Sequence, residues 1–391
     1  MLFASATTQE LEPDAALADL TAQVRRQLGD RAIDLALVFI SPHFGRRVST
    51  VRDHLRTRLS PRVLLGVTCE AVIGRESEIE NLSAMTLLAG YLPGVELAPF
   101  AIGQFEWKNT LSGAEELHAR VGAPADPRLI LLLADPFSSP IEQVLDAFNE
   151  CYPAVPLVGG MASGATRPGV NALILNDQVL GRGAAGVVLS GAFEADVLVS
   201  QGCRPVGRPY RVTEAERNIL LSLEDAPALE QLQNMADDIS EKDRDLLESN
   251  GIYVGRAIDS KKQVLGRGDF VVRGILGVDP RSGAMSVGDE IREGELIQFH
   301  VRDQETATED LEMVLMPQIF DAPPQGALLF SCNGRGTHLY DHPNGDIAVI
   351  QKVLGNVPAA GFFCTGEIGP IGGRNLLHGH TACAALFRPR G

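Results

Sequence analysis

Uninterrupted apolar runs predict buried β-strands at three widely separated places in the sequence. The runs cover residues 35–40, 129–134 and 327–330. Each is followed by a loop, by a segment with helical spacing of apolar positions and by a second short apolar run. Two strands joined by such a crossover lie parallel in one sheet with a right-handed connection. The pattern therefore predicts three repeats of strand, helix and strand.

The three predicted repeats have similar lengths, and two of them share residue offsets. The predicted repeats are strands 35–40 and 63–66 around a helix at 48–59, strands 129–134 and 155–159 around a helix at 141–151, and strands 327–330 and 357–361 around a helix at 347–354. The shared offsets are those of Gly66, Cys69, Ile73 and Gly74 in the first copy and of Gly361, Cys364, Ile368 and Gly369 in the third. Because the matches fall at the same place after strand, helix and strand, we expect real structural repetition.

The region between the second and third copies has a different pattern. Consecutive strands are predicted over residues 181–198, a charged helical segment over 215–249 and antiparallel hairpins over 264–301. Strands that follow the glycine-rich turns would make the sheets mixed. The predicted fold class is α/β (mixed α+β), with repeated strand-helix-strand units building mixed β-sheets covered by helices, in two domains. We expect a helical N-terminal lead over 1–33 and a domain boundary near residues 205–215.

The charge and the cysteine content indicate which kinds of partner the protein binds and in which cellular compartment we expect it. Fifty acidic residues against 34 Lys and Arg give a net charge of −16, which disfavours nucleic acid as a partner. No apolar stretch approaches the roughly 18 residues of a membrane span, and no signal peptide is recognisable. The six cysteines show no CxxC pair, so we predict reduced thiols in a cytoplasmic protein. They are Cys69, Cys151, Cys203, Cys332, Cys364 and Cys383.

The loop after the third-copy strand is the sharpest local signal for a binding site. It reads Ser331-Cys332-Asn333-Gly334-Arg335-Gly336. Ligands of such sheets collect at the carboxyl ends of strands. Gly334 and Gly336 allow backbone amides to converge on an anion, and Arg335 could grip a carboxylate with two hydrogen bonds. The alternative is a glycine turn with a solvated arginine.

A second glycine-rich segment, residues 361–373, surrounds Cys364, Thr365, Gly366 and Glu367. Glycine at this density indicates tight turns or close approach of another group. In the functional interpretation, Glu367 binds a ligand ammonium group and Cys364 forms part of the wall. In the alternative, the segment is a pair of turns between core strands. It matches neither a dinucleotide-binding glycine motif nor a P-loop.

Other chemistry-bearing residues give weaker signals. Arg204 follows Cys203 and could depress its pKa, although an ordinary turn explains the pair equally well. Late histidines lack the spacing of a metal site, and no catalytic signature surrounds any serine or cysteine. We therefore predict no metal, no cofactor and no enzyme activity. These histidines are His338, His342, His378 and His380.

Four motifs together resemble the FIST family, which is named for F-box and intracellular signal transduction proteins. The motifs are LGVTCE at 65–70, SQGCRP at 200–205, SCNGRG at 331–336 and GEIGP at 366–370. The resemblance extends from Asp34 to Phe387 and implies a FIST N-terminal domain over 34–210 and a FIST C-terminal domain over 211–391. It also implies a cytoplasmic sensory module that binds a small ligand, with an amino acid as one candidate. Because no kinase or cyclase segment follows residue 387, the expected output partner is a separate signalling protein.

The motifs and the resemblance combine into one hypothesis for the ligand site. Arg335 and the amides of 334–336 would hold a carboxylate, Glu367 would hold an ammonium group, and Asn333 or Thr365 would orient the ligand. The predicted ligand-binding residues are Ser331, Cys332, Asn333, Gly334, Arg335, Gly336, Cys364, Thr365, Gly366, Glu367, Cys203 and Arg204. Two alternatives stay open. One is a thiol-dependent enzyme or redox sensor using Cys203, Cys332 or Cys364, and the other is an interaction scaffold without a ligand.

Overall fold

A computed structural model describes residues 1–390 and divides the chain into two compact units. The first unit consists of Met1–Val199 together with the chain from Glu312 onward, and the second unit consists of Ser200–Leu311. The chain therefore leaves the first unit once and returns to it. The predicted division after residue 210 concerns sequence domains and stays a prediction.

Twenty-five strands and nine α-helices lie within residues 1–390. Up to residue 200 the strands are β1 (Leu2–Thr8), β2 (Leu35–Ile40), β3 (Val63–Thr68), β4 (Val72–Ile73), β5 (Glu78–Ile79), β6 (Met85–Tyr91), β7 (Val95–Ile102), β8 (Pro127–Ala134), β9 (Leu157–Met161), β10 (Leu173–Leu175), β11 (Gln178–Leu180), β12 (Ala184–Gly191) and β13 (Phe193–Ser200). The next strands are β14 (Arg204–Glu216), β15 (Ile219–Leu223), β16 (Ala226–Pro227), β17 (Tyr253–Ala257), β18 (Phe270–Val278), β19 (Met285–Val287) and β20 (Leu296–Val301). The last strands are β21 (Gly326–Cys332), β22 (Ala359–Cys364), β23 (Glu367–Ile371), β24 (Arg374–His378) and β25 (Ala382–Pro389). The helices are α1 (Pro13–Leu28), α2 (Val48–Arg58), α3 (Trp107–Thr110), α4 (Ala114–Val121), α5 (Ile141–Cys151), α6 (Ala228–Asp238), α7 (Glu241–Asn250), α8 (Gln304–Leu315) and α9 (Gly345–Leu354).

Three six-stranded sheets with the same internal order build the first unit. The orders are β1-β6-β2-β3-β10-β11, β7-β12-β8-β9-β23-β24 and β13-β25-β21-β22-β4-β5. In each sheet the two central strands are parallel, and one of the helices α2, α5 and α9 connects them in sequence. The central strands consist largely of apolar residues because both of their faces are buried. The predicted repeats and the predicted mixed α/β fold class are confirmed.

The last two strands of each sheet come from a different repeat, and we call each such pair an exchanged hairpin. The hairpin β4–β5 of the first repeat joins the third sheet, β10–β11 of the second repeat joins the first sheet, and β23–β24 of the third repeat joins the second sheet. The exchange is cyclic, so each repeat completes the sheet of a neighbour. No repeat therefore holds a complete sheet by itself.

Three glycines explain the shared offsets. Gly66, Gly159 and Gly361 lie at the same register position of the second central strand of their sheets, where each pairs with an isoleucine of an exchanged hairpin. A Cβ atom at Gly361 would lie 1.7 Å from the carbonyl oxygen of Leu329, so no larger residue fits there. The isoleucine partners are Ile174, Ile368 and Ile73.

Apolar side chains fill the space between the sheets and between sheets and helices. Phe39 of the first sheet stacks on Phe362 of the third sheet, with ring centroids 5.2 Å apart, and both belong to a core shared by the three sheets. Helices α1 and α2 cover the other face of the first sheet, where Leu17 and Val51 are fully buried. Helix α5 covers the second sheet in the same way. The helices cover faces of the sheets, whereas the carboxyl ends of the central strands continue into loops.

The antiparallel strands predicted over 264–301 are confirmed as β18, β19 and β20, whereas other parts of the second unit and the N-terminus depart from the predictions. The unit is built on an antiparallel sheet with the order β14-β20-β17-β18-β19-β15-β16. The predicted helix over 215–249 is wrong in its first part, because residues 204–223 form a hairpin and the helices begin only at Ala228. The helical lead over 1–33 is also partly wrong. Its first residues form β1, which pairs with β6 more than 75 residues away and therefore leaves no local sequence signal.

Candidate functional site

The loop Ser331–Gly336 follows β21 as predicted, but its backbone amides are already used inside the protein. The amide of Asn333 donates to the carbonyl oxygen of Cys364 at 2.9 Å, and that of Arg335 donates to the carbonyl oxygen of Cys332 at 2.8 Å. The amide of Gly334 donates to the sulfur of Cys332 at 3.5 Å. Two of the three amides in the predicted anion-binding nest, those of Gly334 and Arg335, thus already donate to Cys332, which does not favour the nest.

Arg335 is fully buried and forms a two-pronged ion pair with Asp346 of helix α9. Its Nε lies 2.8 Å from Asp346 Oδ2 and its Nη2 lies 2.6 Å from Oδ1. The same Nη2 donates to the hydroxyl of Tyr340, and the Ser331 hydroxyl donates to Asp346 at 2.5 Å. The predicted contact between Arg335 and a ligand carboxylate is wrong, because Asp346 holds the guanidinium in the interior.

A second buried carboxylate, Glu78 of β5, completes this charged cluster. Its Oε1 accepts the amides of Asp346 and Ile347 at 2.9 and 2.8 Å, at the start of helix α9. Burial and the nearby charge of Asp346 raise the pKa of Glu78 to about 8. Although burial alone would raise the pKa of Asp346, the charge and hydrogen bonds of Arg335 hold it below its usual value. The hairpin exchanged from the first repeat thus contributes a carboxyl group to the interior of the third.

Glu367 and the predicted residues around it also lie inside the protein. The Glu367 side chain is fully buried, and its Oε2 accepts the amide of Thr381 at 3.2 Å. This burial does not favour its role as a partner for a ligand ammonium group, which stays a prediction. The carbonyl oxygen of Gly366 accepts the amide of Met161, and the Thr365 hydroxyl donates to the carbonyl oxygen of Ala162. These groups join the third repeat to the second.

The thiols named in the predictions are buried. Cys364 has no exposed surface, and burial raises its pKa well above the usual value. A Cβ atom at Gly160 would lie 2.3 Å from the Cys364 sulfur, which shows how closely the second repeat covers it. Cys203 and Arg204 belong to the second unit, where the guanidinium of Arg204 forms an ion pair with Asp243. The geometry gives no support to a reactive thiolate at Cys364.

The exposed side of the loop forms a small cleft with an acidic rim. We call it the acidic cleft and define it by Glu70, Glu80, Asn81, Asn333 and His338, with Ala71 and Phe363 as its apolar lining residues. The Nδ2 of Asn333 donates to Glu70, whereas the amide and hydroxyl of Thr337 donate to Glu80 at 3.0 and 2.9 Å. The cavity measures about 10 Å³, which is the space of about one water molecule. Its charged groups are carboxylates, so it favours a cationic group.

Turns from all three repeats meet beside this cleft. The amide of Glu70 donates to the Ser163 hydroxyl at 2.9 Å, and that hydroxyl donates to the carbonyl oxygen of Phe363. Glu70, Ser163 and Thr365 each stand four residues after the paired glycine of their repeat, so the repeats bring the same position together. Asn333 is the one predicted ligand-binding residue that lines the acidic cleft. Glu70 ends the LGVTCE motif but is not among the predicted ligand-binding residues, although the common register identifies its position, and Glu80 is in none of the predicted motifs.

Among residues 1–390, no three side chains of His, Cys, Asp and Glu are grouped so as to hold a metal ion. The described chain also contains no helix that is long and apolar enough to span a membrane.

Family models match most of the chain. A model described as the FIST N domain matches residues 34–226, and one described as the FIST C domain matches residues 228–370. The chain is 35% identical to "Uncharacterized protein Rv0628c" of Mycobacterium tuberculosis over 374 residues, which cover 95% of this chain and 96% of that protein. It is 36% identical to "Uncharacterized protein Mb0898c" of Mycobacterium bovis over 379 residues, which cover 96% of each.

A comparison with solved structures matches the chain over its whole length to a hydrolase. It is the cyanuic acid hydrolase from A. caulinodans, with a TM-score of 0.38 and 8% sequence identity, covering 100% of this chain and 99% of that one. A score this low supports no statement about activity.

Proposed function

The chain belongs to the FIST family, and from this premise we propose that it is a sensory module that binds a small ligand and passes the signal to a separate partner protein. FIST domains are associated with signal transduction and sensing. The proposal includes the cytoplasmic location inferred from the dispersed cysteines.

The acidic cleft is the single observation that supports a ligand site. It lies at the carboxyl ends of strands, where ligands of such sheets bind, and five of its seven lining residues are polar or charged. Glu70 and Glu80 present two carboxylates, whereas Arg335 is committed to Asp346. We therefore propose a ligand with a cationic group. An amino acid fits this requirement through its ammonium group, and a simple amine fits it equally well.

Signalling would follow from opening the cleft. A ligand larger than water requires the hydrogen bond between Asn333 and Glu70 to break, because the closed cavity has a volume of only about 10 Å³. Glu70 belongs to the first repeat and Asn333 to the third. A cation that replaces the Asn333 amide on Glu70 favours the open arrangement over the closed one, which is the differential binding that a sensor needs.

A thermal-shift screen tests this proposal. Amines, amino acids and small carboxylates are tested on the wild-type protein and on the Glu70→Gln and Glu80→Gln variants. Ligand at 100 times its dissociation constant adds about 2.7 kcal/mol to the stability of the native state. We expect an amine or amino acid to raise the melting temperature and both variants to lose the effect. Glu76→Gln is the matched control, because Glu76 is exposed on the turn between β4 and β5 and lies outside the cleft.

An interaction scaffold without a ligand is the second candidate, and the small volume of the cleft favours it. A filled cleft holds its loops in place and has no room for a signal molecule. Under this proposal no compound in the screen changes the melting temperature, and Glu70→Gln changes only the stability of the native state. A shift with carboxylates alone would contradict the cationic ligand.

A further inference from the structure

An arginine-rich surface lies on the helical layer of the first unit, in a protein that is otherwise strongly acidic. Residues 25–62 contain nine arginines and three aspartates, a net charge of +6, whereas the whole chain carries −16. No lysine occurs in this segment. Such a concentration of one sign of charge creates a local field that differs from that of the rest of the protein.

The fold brings these arginines to the solvent side of one layer. Helices α1 and α2 pack on the first sheet through apolar residues, and the hydrogen bond from Arg25 to the carbonyl oxygen of Leu59 joins their C-terminal ends. Arg46 and Arg47 precede α2, and Arg58 is its last residue. We call the solvent side of this layer the arginine face. Its members are Arg26, Arg46, Arg47, Arg52, Arg56, Arg58 and Arg62.

Some members of the arginine face are held by ion pairs and others are available. Arg56 pairs with Asp177 and Arg62 pairs with Asp34. Arg26, Arg46, Arg47 and Arg58 are exposed, and within residues 1–390 no ion pair joins any of the four to an acidic side chain. Guanidinium groups match carboxylates and phosphates with two parallel hydrogen bonds, so these four supply unused binding capacity.

From this distribution we infer that the arginine face is a docking surface for an acidic segment of a separate protein. The remainder of the chain carries a large negative charge, which opposes a polyphosphate such as nucleic acid. Membrane-surface helices need an exposed apolar face, whereas the apolar side chains of α2 are buried and no large apolar residue is exposed between 25 and 62. A carboxylate-rich polypeptide meets both conditions, because it complements the arginines without requiring apolar contact.

The charge pattern also favours a partner over a simple solubilising role. A solubilising surface mixes both signs of charge, and the protein already has a large net charge for that purpose. The arginine face lies outside the acidic cleft, so the inference goes beyond the ligand site and adds a place where an output partner would bind. The two proposals are therefore tested by separate readouts.

Binding of a fluorescein-labelled oligoglutamate peptide to the full protein, followed by fluorescence anisotropy, tests the inference. The variant combines Arg46→Glu, Arg47→Glu and Arg58→Glu. We expect the wild-type protein to bind, the affinity to fall as salt is raised and the variant to lose at least about tenfold in affinity. Unchanged circular dichroism and emission from Trp107 verify that the variant is folded, and thermal-shift results that match those of the wild-type protein with the same amines and amino acids keep this result separate from the ligand site.

The matched control places the same change in charge elsewhere on the surface. It combines Arg167→Glu, Lys261→Glu and Arg281→Glu, three exposed positions outside the arginine face. A control that stays within about twofold of the wild-type affinity supports the inference. Absence of peptide binding at low salt or an equal loss in the control would overturn it. Tighter binding of a DNA duplex or of phosphatidylserine vesicles through the same arginines would also overturn it, as would self-association that these arginines mediate.

Discussion

Replacing Glu78 by glutamine should make the first unit progressively more stable, relative to the wild-type protein, as the pH rises. Glu78 lies in the interior, where its Oε1 accepts two amides at the start of helix α9. Burial and the charge of Asp346 raise its pKa from 4.5 to about 8. Glutamine keeps the Oε1 acceptor and cannot ionise. The substitution therefore removes a titration and preserves the cap on the helix.

The sign of the effect follows from proton linkage. Between the pKa of the unfolded chain, about 4.5, and that of the folded chain, about 8, the folded protein holds a proton on Glu78 that the unfolded chain has released. The contribution of Glu78 to stability is therefore fully present at low pH and is lost as the pH rises. From about pH 5 to pH 8 the difference in unfolding free energy between variant and wild type should grow by roughly 4 kcal/mol.

Urea unfolding at several pH values measures this difference. Trp107 is the single tryptophan of the chain and is buried in the first unit, so its emission reports on the unit that contains Glu78. Other groups titrate in both proteins and cancel in the comparison. Any fixed cost of the new amide is the same at every pH, so the slope is the test. A difference that stays flat from pH 5 to pH 8, or that matches the exposed Glu76→Gln control, would refute the reasoning.

Three other substitutions or treatments test neighbouring features. Asp346→Asn removes the carboxylate that pairs directly with the buried guanidinium of Arg335, so we expect the unfolding free energy in urea to fall by about 3–5 kcal/mol. Gly361→Ala places a methyl group 1.7 Å from the carbonyl oxygen of Leu329, and we expect little folded protein by the Trp107 emission test. Iodoacetamide should leave Cys364 unmodified in the native protein at mildly alkaline pH and modify it after denaturation, as mass spectrometry of the peptides will show. Rapid labelling of Cys364 in the native protein would instead support the alternative of a thiol-dependent enzyme or redox sensor.

The strands and the repeats were predictable because their signals are local. Apolar runs identified the central strands, and the offsets of Gly66 and Gly361 identified equivalent positions in two repeats. The second repeat was harder to align because its isoleucine, Ile174, follows Gly159 after a longer insertion. Strand β1 escaped prediction because its partner β6 is distant in sequence. Local periodicity therefore predicts the repeated units, whereas an element such as β1, which depends on pairing with a distant strand, leaves no local signal.

The site was less predictable because partners decide what a charged side chain does. The loop motif at 331–336 correctly indicated a strand-end loop, but the sequence contains no sign that Arg335 pairs with Asp346 eleven residues later. Glu80 reaches the cleft only because its hairpin joins the third sheet. A motif therefore located the site, whereas the exchange of hairpins determined its charge.

The exchanged hairpins impose an order on synthesis. Strand β9 is complete at Met161, yet its hairpin partner begins only at Glu367, about two hundred residues later in the chain. At roughly 5–20 residues per second, the ribosome needs on the order of 10–40 seconds to supply that partner. Throughout that interval β9 can pair with β8 on one side, but its other edge has no partner strand. An unpaired strand edge is a template for aggregation. Final folding of the first unit must therefore wait for the C-terminal residues, and nascent chains should depend on chaperones that shield this edge until they emerge.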